Sequence, residues 1–151
     1  MSATRWLEIA RRAMEYRSLQ QQRELADRRA ERDQAQRDLE SHRRELAAIG
    51  EAWRQHLQRE DMQPAVLDAY RRHALQGAVL EAEHVRTCRQ AEDDARAVED
   101  GLRRHVHQSH ALESLLDQRL QQEAQALDRQ LQREANERWA ARSAAIDGKL
   151  P

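Results

Sequence analysis

The sequence predicts an all-α fold: two long helices folded into an antiparallel coiled-coil hairpin, with the second helix the longer. Three observations predict it: a composition of strong helix formers without enough apolar matter for a globule, very sparse helix-breaking residues, and apolar residues on seven-residue grids. Of 151 residues, 39% are hydrophobic, 3% aromatic and 35% charged, and phenylalanine is absent. A globular core of ordinary size needs more apolar surface than this. Disordered chains of low hydrophobicity usually carry a large net charge and much Pro, Gly and Ser. Here the formal net charge is -1, with four glycines and two prolines. Ala, Leu, Gln, Glu and Arg dominate, and these favour long helices that bury one narrow stripe.

The breaks place the elements. Helix one is expected over about 3–60, a turn over about 61–64 and helix two over about 65–147, forming a single hairpin domain over 1–151. Proline disfavours helix in the residue before it and suits the first turn of the helix after it. Pro64, in Glu60-Asp61-Met62-Gln63-Pro64, therefore ends one helix and begins the next. Ser2 or Thr4 can cap the first helix. Gly148, followed by Pro151, reads as the stop of the second.

Leu25, Leu39, Leu46 and Trp53 share a seven-residue grid interrupted at Arg32, and Ala35, His42 and Ile49 fall three residues on. In helix two, Leu67, Ala74, Cys88, Ala95, Leu102 and Leu116 form one grid, and Tyr70, Ala91, Val98 and Leu112 its companion. Paired grids of this kind are the seam of a coiled coil. Arg32, Glu81, His84 and His105 occupy seam positions and make the grids imperfect. After Leu116 the spacing slips by four, and Leu120, Ala124, Leu127 and Leu131 continue the stripe. Outside the seam, Glu24–Arg28, Glu40–Arg44, Glu92–Arg96, Glu99–Arg103 and Glu134–Arg138 are acid-before-base pairs at four-residue spacing, each worth about 0.2–0.5 kcal/mol.

A connection this short joins antiparallel neighbours. At 1.5 Å per residue the helices would be about 85 and 120 Å long. Folding back about Met62 pairs the chain start with the neighbourhood of residue 120. The segment from about Gln121 to Asp147 then projects past its partner, still carrying Leu127, Leu131, Trp139 and Ile146. An uncovered apolar stripe of this kind marks a partner site.

Several function classes are disfavoured. No glycine-rich phosphate loop or HExxH motif is present, and a two-helix seam cannot enclose a substrate, so no enzyme activity, catalytic residue or cofactor is expected. In the run His105-Val106-His107-Gln108-Ser109-His110 only His107 and His110 share a helical face, too few ligands for a metal site. Cys88 is the single cysteine and reads as a small seam residue; flanking Arg86 and Arg89 leave a reactive thiol as the alternative. The arginine pairs, such as Arg28-Arg29 and Arg103-Arg104, are flanked by acids, so no nucleic-acid partner is expected. No segment approaches the roughly 20 apolar residues of a membrane span, and the start lacks a signal-like apolar run. A cytoplasmic protein without direct membrane insertion is the expectation.

The chain resembles the stalk proteins of type III secretion systems, the FliJ/YscO family. The resemblance rests on the run from Glu24 to Arg32 (ELADRRAER), the Asp61-Met62 turn, Tyr70 followed by the stretch from Ala74 to His84, and the closing run from Asn136 to Arg142 (NERWAAR). It covers essentially the whole chain, with motifs of modest specificity. It implies a non-enzymatic, monomeric protein that links the hexameric secretion ATPase to the export gate of a flagellar or injectisome apparatus, with secretion chaperones as further partners of some members. On that likeness Arg5, Trp6, Arg11 and Arg12, beside Arg138, Trp139 and Arg142, would face the ATPase, an assignment resting on position only. Alignment on Tyr70 carries the gate-facing surface onto His73, Gly77, Leu80 and His84, although the family is more apolar where His73 and Gly77 stand. The alternative is a coiled-coil scaffold or dimerising adaptor unrelated to secretion.

Overall fold

The computed structural model describes residues 3–59 and 61–148. Ser2, Glu60 and the stretch from Lys149 to Pro151, invoked above as a cap, part of the turn and the end of the chain, lie outside the described residues. Two helices make up the fold, α1 (Ala3–Leu57) and α2 (Pro64–Asp147), packed antiparallel with α2 the longer. Helix α1 closes slightly before the expected position, its last turn carrying His56 and Arg54, the arginine a cation that complements the negative end of the helix dipole. Arg59 N–H then donates to the His56 carbonyl at 3.2 Å. Pro64 lies inside α2 rather than in the turn, at a position where its missing N–H costs nothing. The Gln63 carbonyl begins the new ladder, accepting from Val66 and Leu67 at 3.1 and 3.4 Å.

One end assignment changes. Thr4 lies within α1, where its hydroxyl donates to the Glu123 carboxylate of α2; it ties two helices and caps neither. Helix α2 ends at Asp147, just before Gly148 as expected; the Gly148 N–H donates to Ala144 O at 3.1 Å, and no described glycine has positive φ.

The chain divides into two compact units, Met1–Arg17 with His105–Pro151, and Ser18–Arg104. Each contains an antiparallel stretch of both helices. In the Ser18–Arg104 unit the buried apolar residues are Leu25, Ala35, Cys88 and Ala95, all on the predicted grids, while Leu39, Leu46, Ile49 and Trp53 are half-buried beside them. Ala74 is the exception. It falls on the grid yet is exposed, because the contact at that level is made by Gly77, whose missing side chain admits Leu46. Near the turn Trp53 packs on Tyr70 with centroids 4.9 Å apart at 47°, and on His56 edge-on at 5.9 Å.

The glycines make a discriminating test. A Cβ at Gly50 or Gly101 meets nothing within 4 Å, whereas one at Gly77 would stand 2.5 Å from Leu46 Cδ2. Gly50→Ala and Gly101→Ala are each expected to stabilise the protein by about 0.5–1 kcal/mol through helix propensity. Gly77→Ala gains the same propensity but turns Leu46 off its rotamer, at about 0.5–1.5 kcal/mol. Thermal melts should therefore rise for the first two variants and stay flat or fall for the third.

The polar seam residues are accommodated individually. His42 Nε2 donates to the Gly77 carbonyl at 3.1 Å, and its ring lies 5.1 Å from that of His84. Arg43 reaches Glu81 at 2.9 Å, and Arg32 turns onto Asp33 through two bonds of 3.1 and 2.9 Å. In the other unit His105 is 3% exposed and donates from Nε2 to the Met14 carbonyl at 2.8 Å. Carbonyls only accept, so Nε2 carries a proton in both His42 and His105. His42 and His105 thus behave as cross-helix clasps that fix pairing level.

Of the five expected four-residue ion pairs, Glu99–Arg103 (3.0 Å) and Glu134–Arg138 (3.9 Å) form. Arg28 instead takes Glu31 at 3.0 Å, Arg96 takes Asp93 at 4.0 Å, and Arg44 donates to the Glu40 backbone carbonyl at 3.4 Å. Three-residue spacing brings a helix neighbour equally close. Cross-helix pairs Arg28–Asp94 (3.9 Å) and Arg29–Glu99 (3.8 Å) flank the seam, but such exposed pairs each contribute about 0–1 kcal/mol.

Candidate functional site

Exposed apolar residues cluster in the unit built from the two chain ends. Its buried side chains are Leu116 and His105, while Trp6, Ile9, Tyr16, Leu115, Leu127, Leu131, Trp139 and Ile146 are exposed. The cause is the unequal helix lengths. Thr4 meets Glu123, so α1 starts at that level and α2 continues alone to Asp147. Every residue from 121 to 133 is exposed, and the four-residue slip after Leu116 coincides with the end of cover.

The extension keeps a stripe although nothing covers it. Leu120 and Leu131, Ala124 and Ala135, Leu131 and Arg142, and Ala135 and Ile146 are each eleven residues apart. An eleven-residue repeat returns to nearly the same helical azimuth and so runs almost straight along the axis. Leu127, Leu131 and Trp139 are 58, 56 and 72% exposed. Asp128 stands in the near part of the stripe and Arg142 in its far part, while Arg129 and Arg133 accompany the first and Glu134, Glu137 and Asp147 the second. Arg119 holds Glu123 at 3.7 Å, and Gln132 donates to Asp128 at 3.5 Å.

The residues expected to form one ATPase-facing end are not brought together. Arg5, Trp6, Arg11 and Arg12 are exposed on α1, with Arg11 3.6 Å from Glu15. Arg138, Trp139 and Arg142 are exposed on the extension. Because α1 begins opposite Glu123, Trp139 lies about 24 Å further along the α2 axis. The two groups are separate patches on one unit.

The gate-facing set also divides. His73 and Leu80 are exposed, whereas Gly77 is buried beneath Leu46 and His84 is half-buried against His42. Only His73 and Leu80 are presented outward. The exposed neighbours Leu75 and Val79, at 68 and 58%, complete an apolar patch with Leu80 that the grid reading passed over. Their spacing of four off both grids was the available signal.

Cys88 is free and buried. Burial foremost, and then the charge of Glu92, push its thiol above the usual range, with Arg43 partly opposing. The flanking Arg86 and Arg89 do not activate it, which leaves the seam-packing role. Among the described residues no three His, Cys, Asp or Glu side chains assemble as a metal-binding group; His110 sits 3.6 Å from Glu113. A groove beside Ala35 and Ala91 is lined by Arg86, Arg89, Asp93 and Asp94, all hydrated charges. Among the described residues no helix is long and apolar enough to cross a membrane. What this geometry offers is a long exposed helix face bearing Leu127, Leu131 and Trp139. Comparison of the chain with protein-family models, with curated proteins and with solved structures finds no match.

Proposed function

We propose that this chain is a non-enzymatic stalk of a type III secretion export apparatus, flagellar or injectisome, linking the cytoplasmic secretion ATPase hexamer to the export gate. The observation that carries the reading is the asymmetric hairpin, in which α2 continues beyond the start of α1 with an apolar and arginine-bearing stripe exposed. The sequence likeness to the FliJ/YscO stalks supplies the direction. Arg138, Trp139 and Arg142 on the extension are the ATPase-facing residues in this reading, with Arg5, Trp6, Arg11 and Arg12 as a second patch. Arginine forks and an exposed indole suit a protein interface. The gate-facing patch is His73 and Leu80 with Leu75 and Val79, while Gly77 and His84 set the seam beneath it. Secretion chaperones are further candidate partners.

The test is to add the chain to the purified secretion ATPase of its source organism. Hexamer formation and ATP hydrolysis should both rise, and Trp139→Ala with Arg142→Ala should blunt the rise. No change at saturating hairpin would sink the stalk reading. A coiled-coil adaptor unrelated to secretion is the second reading, favoured by the exposed Leu127, Leu131 and Trp139 of the extension, which another helix could cover.

A further inference from the structure

We propose that the α2 extension pairs with the extension of a second copy of this chain, antiparallel, about a two-fold axis near Ala135. The inference does not depend on the secretion reading. Where both hold, the pair must open before the ATPase can engage Arg138, Trp139 and Arg142.

The first ground is length. From Ala124 to Asp147 the extension is about 36 Å long. It starts where α1 ends its cover, so an antiparallel copy centred on Ala135 fills that same stretch. The second copy's Asp147 then arrives beside Glu123, where the first copy's α1 begins. Each extension takes the place of the helix that the other lacks.

The second ground is the stripe. With the axis at Ala135, Leu131 of each copy meets Trp139 of the other, and Ala124 meets Ile146. Ala124 thus leaves room for Ile146, Leu131 lies against the indole, and the eleven-residue repeat keeps the contact in line along the whole stretch. The contact covers on the order of 1,000 Å² counting both copies, at the lower limit of stable interfaces. Dissociation in the micromolar range follows.

The third ground is charge, and it selects the orientation. The antiparallel arrangement sets Arg142 of each copy opposite Asp128 of the other and Arg138 opposite Gln132, against one like-charge approach, of Asp147 to Glu123. A parallel pair would instead place Arg138 on Arg138 and Arg142 on Arg142 within the stripe, a like-charge contact that disfavours it.

Sedimentation equilibrium of the full chain alone, across micromolar concentrations, should give twice the chain mass with dissociation on dilution. Leu127→Asp with Leu131→Asp should weaken association by about 100-fold or more while leaving helix content unchanged by circular dichroism, because both residues are exposed. Arg142→Glu should weaken it about tenfold, and adding Asp128→Arg should restore it. In a Cys88→Ser background, Ala135→Cys should cross-link to itself. Ala124→Cys should cross-link to Ile146→Cys in a mixed sample but not to itself. A monomer at all concentrations overturns the proposal, as does a dimer indifferent to the Leu127 and Leu131 changes. Self-cross-linking through Ala124→Cys overturns the antiparallel orientation.

Discussion

Leu116→Ala is expected to cost about 3 kcal/mol, with the loss confined to the unit built from the chain ends. Leu116 is 4% exposed and is the one large aliphatic side chain buried there among the described residues. It lies at the last level that α1 covers, between the His105 clasp on Met14 and the Thr4 tie to Glu123. Truncation leaves an apolar gap too small for water to repair. The start of α1 is then held on α2 by the half-buried Leu7, Ala10, Met14 and Leu112 and by three hydrogen bonds, from Thr4, His105 and Ser109. Hydrogen exchange should show amides of residues 3–17 losing protection, while those around Leu25, Ala35 and Ala95 keep theirs. Uniform loss of protection along both helices would refute this localisation.

Trp53→Ala should cost a similar amount, about 2–3 kcal/mol, and act in the other unit. Trp53 touches Tyr70 across the hairpin and His56 along α1, so its indole joins both helices just before the chain turns. Its partial exposure sets the cost below that of a fully buried indole. Trp53→Phe retains an aromatic face for Tyr70 and should recover at least half of the loss. Urea titrations of the three proteins decide the point. They should be followed by two probes, because two compact units need not unfold together.

The seam was legible because burial in a two-helix pair follows a period. Leu25, Ala35, Cys88, Ala95 and Leu116 each stand on a predicted grid position and are the buried apolar residues. The polar intruders were legible as seam positions but not in their chemistry. That His105 and His42 would donate to backbone carbonyls of the opposite helix depends on a pairing level that no single helix encodes. Ala74 failed for the same reason: Gly77 and Leu46 took the contact instead. The ion pairs were the least legible, since three- and four-residue partners compete on an exposed surface within a fraction of a kcal/mol. In the candidate site, the uncovered stripe and the distance of Trp139 from Trp6 could be read from helix lengths, but the division of the gate-facing set could not.

By itself the sequence determined that this chain is helical, that one proline-marked turn divides it, and that the second helix outruns the first. Those properties follow from composition, from Pro64 and from apolar spacing, all local along the chain. Tertiary structure decided which grid residues are covered and which side chains join the helices at the level, near residue 120, where α1 stops protecting α2. It also decided which arginines and tryptophans share a surface. Such properties arise from the pairing of residues far apart in sequence, as when Thr4 meets Glu123 and Met14 meets His105. A period along one helix specifies a face, and only the opposing helix specifies where that face is used up.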